Sequence, residues 1–583
     1  MRHYLSIFQQ AVRNRWDKPA LSDYRGETFT FADMATQIAK HHVLFEKVGL
    51  KPGDKVALAS KNCARWAISF LAVGTYRAVA VPILPDFAPD TIGELANHSE
   101  SVILFTEARI WEAIDKSKET TLKAVISVDD FSVLYAADET LAERVAAEQA
   151  KMPKVYPAEQ KNEVSDYKIG DINDLAIINY TSGTTSSPKG VMLTAKNISS
   201  NIEFALNRIP VTDTDKIMSM LPLAHMYGMA FEFMYPLCGG GHVYFLGKTP
   251  TPTVLMQALA DIKPYILITV PLVMEKIFKN KVMPTLNKPA MRILTSIPIL
   301  KNVIYGKVRK TLLTTFGGNL RSIVLGGAAI SLPVEKVMRK VRLPYTVGYG
   351  MTECAPLIGY SPWESFKLGS CGRAVDNVEV RIDSDDAAKK VGEIQVKGDN
   401  VMQGYYKNPE ATADVFTEDG WFRTGDLGYI DKDGFIFIKG RLKNMILGPS
   451  GENIYPEEIE SVLNTNAYVS ESIVTEQDGQ LVALVHFDSE ALDKLKNEFM
   501  EKLEITRDEL SQKVDEWNAR KEELKKDIVK YVNSKVNRFS RITQVIEEET
   551  EFIKTPTSKI RRFLYNNRHK EGVQQTPENT SKE

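Results

Sequence analysis

Cysteine is scarce in this chain. Only Cys63, Cys238, Cys354 and Cys371 occur in 583 residues, and no two form a CxxC pair. That argues against a cysteine-based zinc site and against a disulfide framework, and it fits a reducing cytoplasm. A surplus of one charge is also missing, since the formal net charge is −2. The chain therefore has neither the broad basic field that nucleic acid attracts nor a strongly acidic one. There is no internal repeat and no low-complexity segment. No long apolar run stands out either. The most apolar stretch, Trp66 to Leu84, is interrupted by Gly74 and Arg77. It reads as a buried helix followed by a strand, not as a membrane span. Met1 to Leu21 carries scattered charges and no apolar core of the signal-peptide kind.

What is present is the balance of a globular protein, 43% apolar and 25% charged. The length is too great for one ordinary core, so two or more domains are expected. The first half alternates strands and helices: Lys55 to Ala59 extended, Ala64 to Thr75 helical, Val79 to Ile83 extended, Asp90 to Asn97 helical, Val102 to Thr106 extended. The same alternation returns from Ile217 to Tyr345. This pattern predicts parallel sheet with crossover helices. After Gly369, Val378 to Ile382 and Glu393 to Lys397 alternate apolar and polar residues, and Gly434 to Ile438 is a short β-branched and aromatic run. These predict antiparallel strands. Beyond Arg441, Ile454 to Leu463 reads as helix, and Ser472 to Val474 and Val482 to Phe487 as strands. Leu492 to Val532 is a long, highly charged helical stretch. The tail beyond His569 is polar and predicted to be disordered.

The strongest local signal is Tyr180-Thr181-Ser182-Gly183-Thr184-Thr185-Ser186-Ser187-Pro188-Lys189-Gly190, entered from the apolar strand Leu175 to Ile178. Glycines and small hydroxyl residues let backbone N–H groups crowd around an anion, and Lys189 adds positive charge. The spacing is not that of the usual P-loop. On composition alone a polar surface loop fits almost as well.

This segment resembles the phosphate loop of the adenylate-forming superfamily, which includes acyl-CoA synthetases, and further motifs follow in the family's order. Leu221-Pro222-Leu223-Ala224-His225-Met226-Tyr227-Gly228 resembles the second motif, which implies that His225 lies beside the acyl carboxylate. Leu325-Gly326-Gly327-Ala328-Ala329 resembles the adenine segment. Gly348-Tyr349-Gly350-Met351-Thr352-Glu353 implies Tyr349 against adenine, Thr352 on the α-phosphate and Glu353 on Mg²⁺. Trp421 to Gly428 resembles the ribose motif, with Asp426 on the ribose hydroxyls. Lys439 to Ile446 resembles the hinge, with Ile438 and Arg441 near the nucleotide and Lys443 as pivot. Asn444 stands there in place of the commoner acidic or serine residue. Gly451 and Glu452 fall in the segment that lines the family's thiol tunnel. Lys554 to Ile560 resembles the catalytic-lysine loop, with Lys559 in the lysine's place and Ser558 where glycine is commoner. The resemblance runs from Asp17 to about Leu564.

What it implies is an α/β fold. A large N-terminal domain, 1–440, would hold layered, mostly parallel sheets with helices plus a small antiparallel, barrel-like subdomain. A hinge at 441–443 would lead to a small mobile α+β domain, 444–566, carrying a charged helical insertion near 492–532, and 567–583 would be a disordered tail. The implied catalytic residues are Lys559, Thr184, His225 and Glu353. Thr181, Ser182, Gly183, Thr184, Thr185, Lys189, Gly327, Ala328, Tyr349, Gly350, Met351, Thr352, Asp426, Ile438 and Arg441 would bind ATP and AMP, with Thr184 and Glu353 holding Mg²⁺.

Thr269 to Ile277 and Lys554 to Tyr565 are similar to segments of long-chain acyl-CoA synthetases. Met226, Met229, Phe231, Phe233, Met234 and Tyr235 form an apolar run beside His225. Such residues suit an alkyl tunnel and ordinary helix core equally. Among them His225, Met226, Met229 and Phe231 are the expected acyl pocket. The implied partners are ATP, a fatty acid and coenzyme A, and no nucleic acid. An acyl-carrier protein acting in trans is the alternative acceptor. A homodimer and a peripheral contact with the inner face of a membrane are compatible with this reading. For the segment Leu492 to Val532, docking on a membrane or partner stands beside the plainer reading of a solvated helical hairpin.

Overall fold

The computed structural model describes residues 1–181, 188–247, 251–448, 452–502, 514–555 and 559–565. Two large sheets dominate the N-terminal part. In one, five parallel strands run in the order Leu175–Thr181, Val79–Pro82, Lys55–Ala59, Ser101–Thr106 and Ala124–Ser127. Lys189–Thr194 and Gly404–Tyr405 extend it antiparallel at one edge, and Val133–Ala136 at the other. In the second, six parallel strands are ordered Tyr345–Val347, Ser322–Leu325, Ile266–Thr269, Lys216–Ser219, His242–Phe245 and Pro19–Asp23, with Thr28–Thr30 antiparallel at the edge. Parallel strands buried on both faces must be apolar throughout, and Val56, Ala57 and Leu58 are fully enclosed. The stretch Trp66 to Leu84 is indeed interior. It forms the helix Ala64–Thr75 and the strand Val79–Pro82. Among the described residues no helix is long and apolar enough to cross a membrane.

The alternating segments pair as an antiparallel sheet: Val378–Asp383, Gly392–Gly398, Phe422–Ile430 and Ile436–Arg441. The last strand starts two residues later than its composition suggests, because Gly434 has φ +82° and forms the turn that precedes it. A three-stranded sheet, Tyr349–Gly350, Leu357–Tyr360 and Arg373–Ala374, lies against it. Cys371 N–H donates to the Ile436 carbonyl, and Ile436 N–H to that of Gly372. These two hydrogen bonds join the small sheets at the strand Ile436–Arg441.

The smaller C-terminal part has its own core around the strands Val469–Gln477, Gln480–Phe487 and Gln544–Glu547 and the helix Pro456–Leu463. The charged stretch is two helices, Ser489–Lys502 and Val514–Asn533, and the chain between them lies outside the described residues. Their apolar positions are committed inward: Leu495, Leu524, Ile528 and Val532 are buried in this core.

Candidate active site

Strand ends and short turns place the motif residues around one cleft. Leu175–Thr181 runs into the hydroxyl-rich loop, and the chain returns as Lys189–Thr194, with Thr181 paired to Lys189. Ser182, Gly183, Thr184 and Thr185 lie outside the described residues. Lys189 Nζ sits 4.9 Å from the centre of the Tyr405 ring. The Tyr405 hydroxyl donates to Glu353 Oε1 at 3.0 Å. The loop lysine and the carboxylate that resembles the metal ligand are therefore bridged by one aromatic residue.

Glu353 follows the buried Thr352 in a single 3₁₀ turn. Just before it, Gly350 is enclosed so tightly that a Cβ would come 1.9 Å from the Pro356 carbonyl oxygen. Only glycine fits there without moving backbone. Gly326 faces the Tyr227 ring, which a Cβ would meet at 2.9 Å, and Gly327 has φ +84°. Gly327 and Ala328 are exposed, while Met351 is half-buried.

Tyr349 is buried, and its hydroxyl donates to Asp426 Oδ2 at 2.8 Å. Arg441 Nε lies 2.7 Å from Asp426 Oδ1. Burial pushes the Asp426 carboxyl upward, against the pull of Arg441. Ile438, half-buried in the strand that ends at Arg441, packs on the N-terminal core.

The segment before His225 is clamped from three sides. Glu232 Oε2 accepts from Met220 N–H at 3.0 Å, from Leu221 N–H at 2.9 Å and from the Ser219 hydroxyl at 3.1 Å. Asn62 donates to the Leu221 carbonyl at 2.6 Å and accepts from Leu223 N–H at 2.9 Å. Asn179 donates to the Ala224 carbonyl at 2.8 Å. His225 Nδ1 accepts from Tyr227 N–H at 3.3 Å. Burial, and to a lesser degree the charge of Lys559, lower the His225 pKa to about 4, so its ring is neutral at ordinary pH.

Lys559 reaches this cleft from the C-terminal part. Thr555 N–H donates to the Lys559 carbonyl at 2.8 Å, and Lys559 N–H donates to Thr555 Oγ1 at 3.2 Å. Lys559 keeps an exposed surface, yet the protein around its ammonium lowers its pKa. Arg441 lowers it further, while Asp426 and Glu353 raise it. A lysine more than a hundred residues away in sequence thus interacts with the carboxylates of two separate motifs. Lys443 is exposed in the turn Leu442–Asn444, and Asn444 donates to Glu457 Oε1 at 2.6 Å. Lys439 Nζ lies 2.7 Å from Glu458 Oε1. Glu452 is half-buried and its carbonyl accepts from Gly448 N–H at 2.8 Å, whereas Gly451 lies outside the described residues.

An apolar cavity of about 80 Å³ is lined by His225, Gly327, Met351, Tyr235, Arg208 and Tyr360 among others. Phe231 lines it as expected, but Met226 and Met229 do not: both are buried in the core. Tyr227, Phe231 and Tyr235 recur every four residues and share the cavity face, with the intervening side chains turned inward. The segment Met229–Met234 is π-helical, so a strict 3.6-residue count does not carry through it. Tyr227 was missed by the sequence reading, although its i, i+4 relation to Phe231 was the available signal.

A family model described as AMP-binding enzyme matches residues 7–406. The chain belongs to the AMP-binding enzyme family. It is an enzyme of the AMP-forming acid–thiol ligase type. The chain is similar to the long-chain-fatty-acid–CoA ligase FadD15 of Mycobacterium bovis, 28% identical over 491 residues that cover 80% of this chain and 78% of that one. It is 31% identical to long-chain-fatty-acid–CoA ligase 5 of Rattus norvegicus over 448 residues, 71% of this chain and 64% of that one. Among solved structures, the anthranilate CoA ligase AuaEII in complex with anthranoyl-AMP superposes with a TM-score of 0.74 at 18% identity, covering 97% of this chain and 96% of that one. A Mycobacterium tuberculosis fatty acyl CoA synthetase gives 0.62 at 23%, covering 97% and 98%. The likeness to these two structures is one of fold.

Proposed function

We propose that the protein converts a long-chain fatty acid to its coenzyme A thioester through an acyl-adenylate, releasing pyrophosphate and AMP. The observation that carries this reading is that Lys559 lies near enough to Arg441, Asp426, Glu353 and His225 to interact electrostatically with all four, and that His225 also lines an apolar cavity.

In the first half-reaction a carboxylate oxygen attacks the α-phosphorus of ATP and pyrophosphate leaves. Such a displacement needs positioning and charge neutralisation more than covalent help. Lys189 and the 181–189 loop would hold the phosphates, Asp426 and Arg441 the ribose, and Tyr349 the base. Lys559 would neutralise charge that develops on the transferred group. A neutral His225 adds no charge to attract the carboxylate away from phosphorus. Mg²⁺ takes one or two carboxylates plus substrate phosphates. No group of three His, Cys, Asp or Glu side chains that could hold a metal occurs among the described residues. Glu353, held by the Tyr405 hydroxyl, would hold a magnesium ion together with Thr184, which lies outside the described residues. The ion would supply neutralisation of the leaving phosphates.

In the second half-reaction the C-terminal part would turn about Lys443 and withdraw Lys559. The thiol of coenzyme A would then approach past Glu452 and attack the acyl carbonyl carbon, expelling AMP. The acyl chain would lie along Tyr227, Phe231 and Tyr235. Burying one methylene is worth about 0.8 kcal/mol, so about fourteen methylenes offer on the order of 10 kcal/mol before ordering costs. An apolar pocket would gain more from that term with a long acid than with a short one.

The test is pyrophosphate release and thioester formation across a series of acids, with and without coenzyme A. Pyrophosphate only with long acids, and thioester only when free coenzyme A is present, is the expected result. Preference for acetate, or acceptance only by a carrier protein, would overturn the proposal.

A further inference from the structure

From Lys276 to Val334 the chain carries ten basic residues and no acidic one, in a protein whose overall charge is −2. The middle of this stretch is a helical hairpin, Pro289–Ser296 and Pro298–Thr315, joined at Ile297. Its inner side packs on the core through the buried Leu312 and the half-buried Tyr305 and Val308. Its tip does the opposite. Ile293, Leu294, Ile297, Ile299, Leu300 and Val303 are all exposed, Ile299 at 78% and Ile293 at 67%. Among the described residues these six are over a third of the sixteen exposed large apolar side chains, although they span only 293–303. Isolated apolar side chains on a surface are ordinary, whereas a cluster of this kind marks an interaction site.

The charges are arranged around that cluster. Lys288, Arg292 and Lys301 flank the tip and are exposed. Along the longer helix, Ile299 and Val303 are followed at helical spacing by the exposed Lys307 and Lys310. Among the described residues none of Lys288, Arg292, Lys301, Lys307 and Lys310 has a carboxylate within 4.0 Å. An apolar edge rimmed by unneutralised cations is complementary to a surface with acyl chains inside and anionic headgroups outside.

We infer that this hairpin docks the protein on an anionic lipid bilayer, the tip entering the headgroup–acyl boundary and the lysines meeting the headgroups. The helices Ser489–Lys502 and Val514–Asn533 are the poorer candidate, because their apolar positions already pack on the C-terminal core. The inference does not depend on the acyl substrate, since it is read without one.

The experiment is sedimentation of the full chain with vesicles of phosphatidylcholine alone or with about a third phosphatidylglycerol, at about 0.1 M salt and again at several times that concentration. Binding at least about ten-fold stronger to the anionic vesicles, and weakened by salt, is expected. I299D/V303D and K301E/K307E/K310E should each lower it by about ten-fold or more, with ATP-dependent acyl-AMP formation from a long-chain acid supplied without vesicles unchanged. Should either variant fold poorly, V303C carrying an environment-sensitive fluorophore replaces it, and a blue shift on anionic vesicles is the supporting result. Equal binding to both vesicle types, or variants that bind like the parent, would overturn the inference. So would a lipid-free dimer that I299D/V303D dissociates, which would make this face an interface between copies.

Discussion

Asp426 Oδ1 lies 2.7 Å from Arg441 Nε, so the first residue of the hinge segment is tied to the sheet that precedes it. The second carboxylate oxygen receives the Tyr349 hydroxyl at 2.8 Å. One buried carboxylate therefore orients both an arginine at the cleft and an aromatic ring in its floor. Asp426→Ala leaves Tyr349 without its acceptor and would remove the proposed ribose partner. The expected result is a rise in KM for ATP of roughly 10- to 150-fold, the equivalent of about 1.5–3 kcal/mol for a charged hydrogen bond. Tyr349→Phe in the Asp426→Ala background should add little, because the bond between them is already gone. Isothermal titration of AMP into the four proteins of this cycle checks it.

The two half-reactions should separate genetically. Lys559→Ala is expected to slow acyl-AMP formation by about two to three orders of magnitude, while thioester formation from supplied acyl-AMP persists. Lys443→Pro should give the reverse, because a fixed φ in the turn Leu442–Asn444 hinders rotation of the C-terminal part. Single-turnover assays of each step decide the matter, and equal losses in both steps for either variant would contradict the assignment.

Acid selectivity should respond to the cavity wall. Phe231 lines the cavity between Tyr227 and Tyr235. Phe231→Trp fills part of it, so kcat/KM should fall for long acids and hold for shorter ones. Each excluded methylene shifts the ratio by about 0.8 kcal/mol, roughly four-fold. Competition between two acids in one reaction, read by mass spectrometry of the products, gives that ratio directly.

His225 should remain neutral well below pH 6, because burial lowers its pKa to about 4. The sign of its linkage follows. Its folded value lies below the unfolded one near 6.5, so the unfolded chain binds the proton first. The stability this residue contributes is fully present above pH 6.5 and is lost as pH falls towards 4. His225→Gln, which can still accept from Tyr227 N–H, should therefore be less acid-sensitive than the parent by about 1.4 kcal/mol per pH unit in that window. Denaturant unfolding at pH 6.5 and pH 5 measures the difference, and an unchanged slope would contradict it.

Much of the scaffold is readable from sequence where burial is uniform. Lys55–Ala59 and Ala64–Thr75 have the bounds their composition suggests, because a doubly covered strand and an enclosed helix leave little choice of pattern. The motif residues are legible for a different reason: Gly350 and Tyr349 are constrained by contacts that tolerate few substitutes. Legibility ends where phase or partner decides. Met226 and Tyr227 are adjacent, and only the helical turn determines which enters the cavity. The exposure of the apolar run Ile293 to Val303 is set by the fold and not by its composition. Leu492 to Val532 reads as a solvated helical hairpin or a docking element, whereas its two helices bury Leu495, Leu524, Ile528 and Val532 in the C-terminal core.

The central claim is that the acid's own oxygen attacks the α-phosphorus of ATP. A fatty acid carrying ¹⁸O in both carboxylate oxygens, turned over with ATP and coenzyme A, tests it directly. One ¹⁸O should appear in AMP and one should stay in the thioester carbonyl. AMP free of label, or label recovered in inorganic phosphate, would contradict the account.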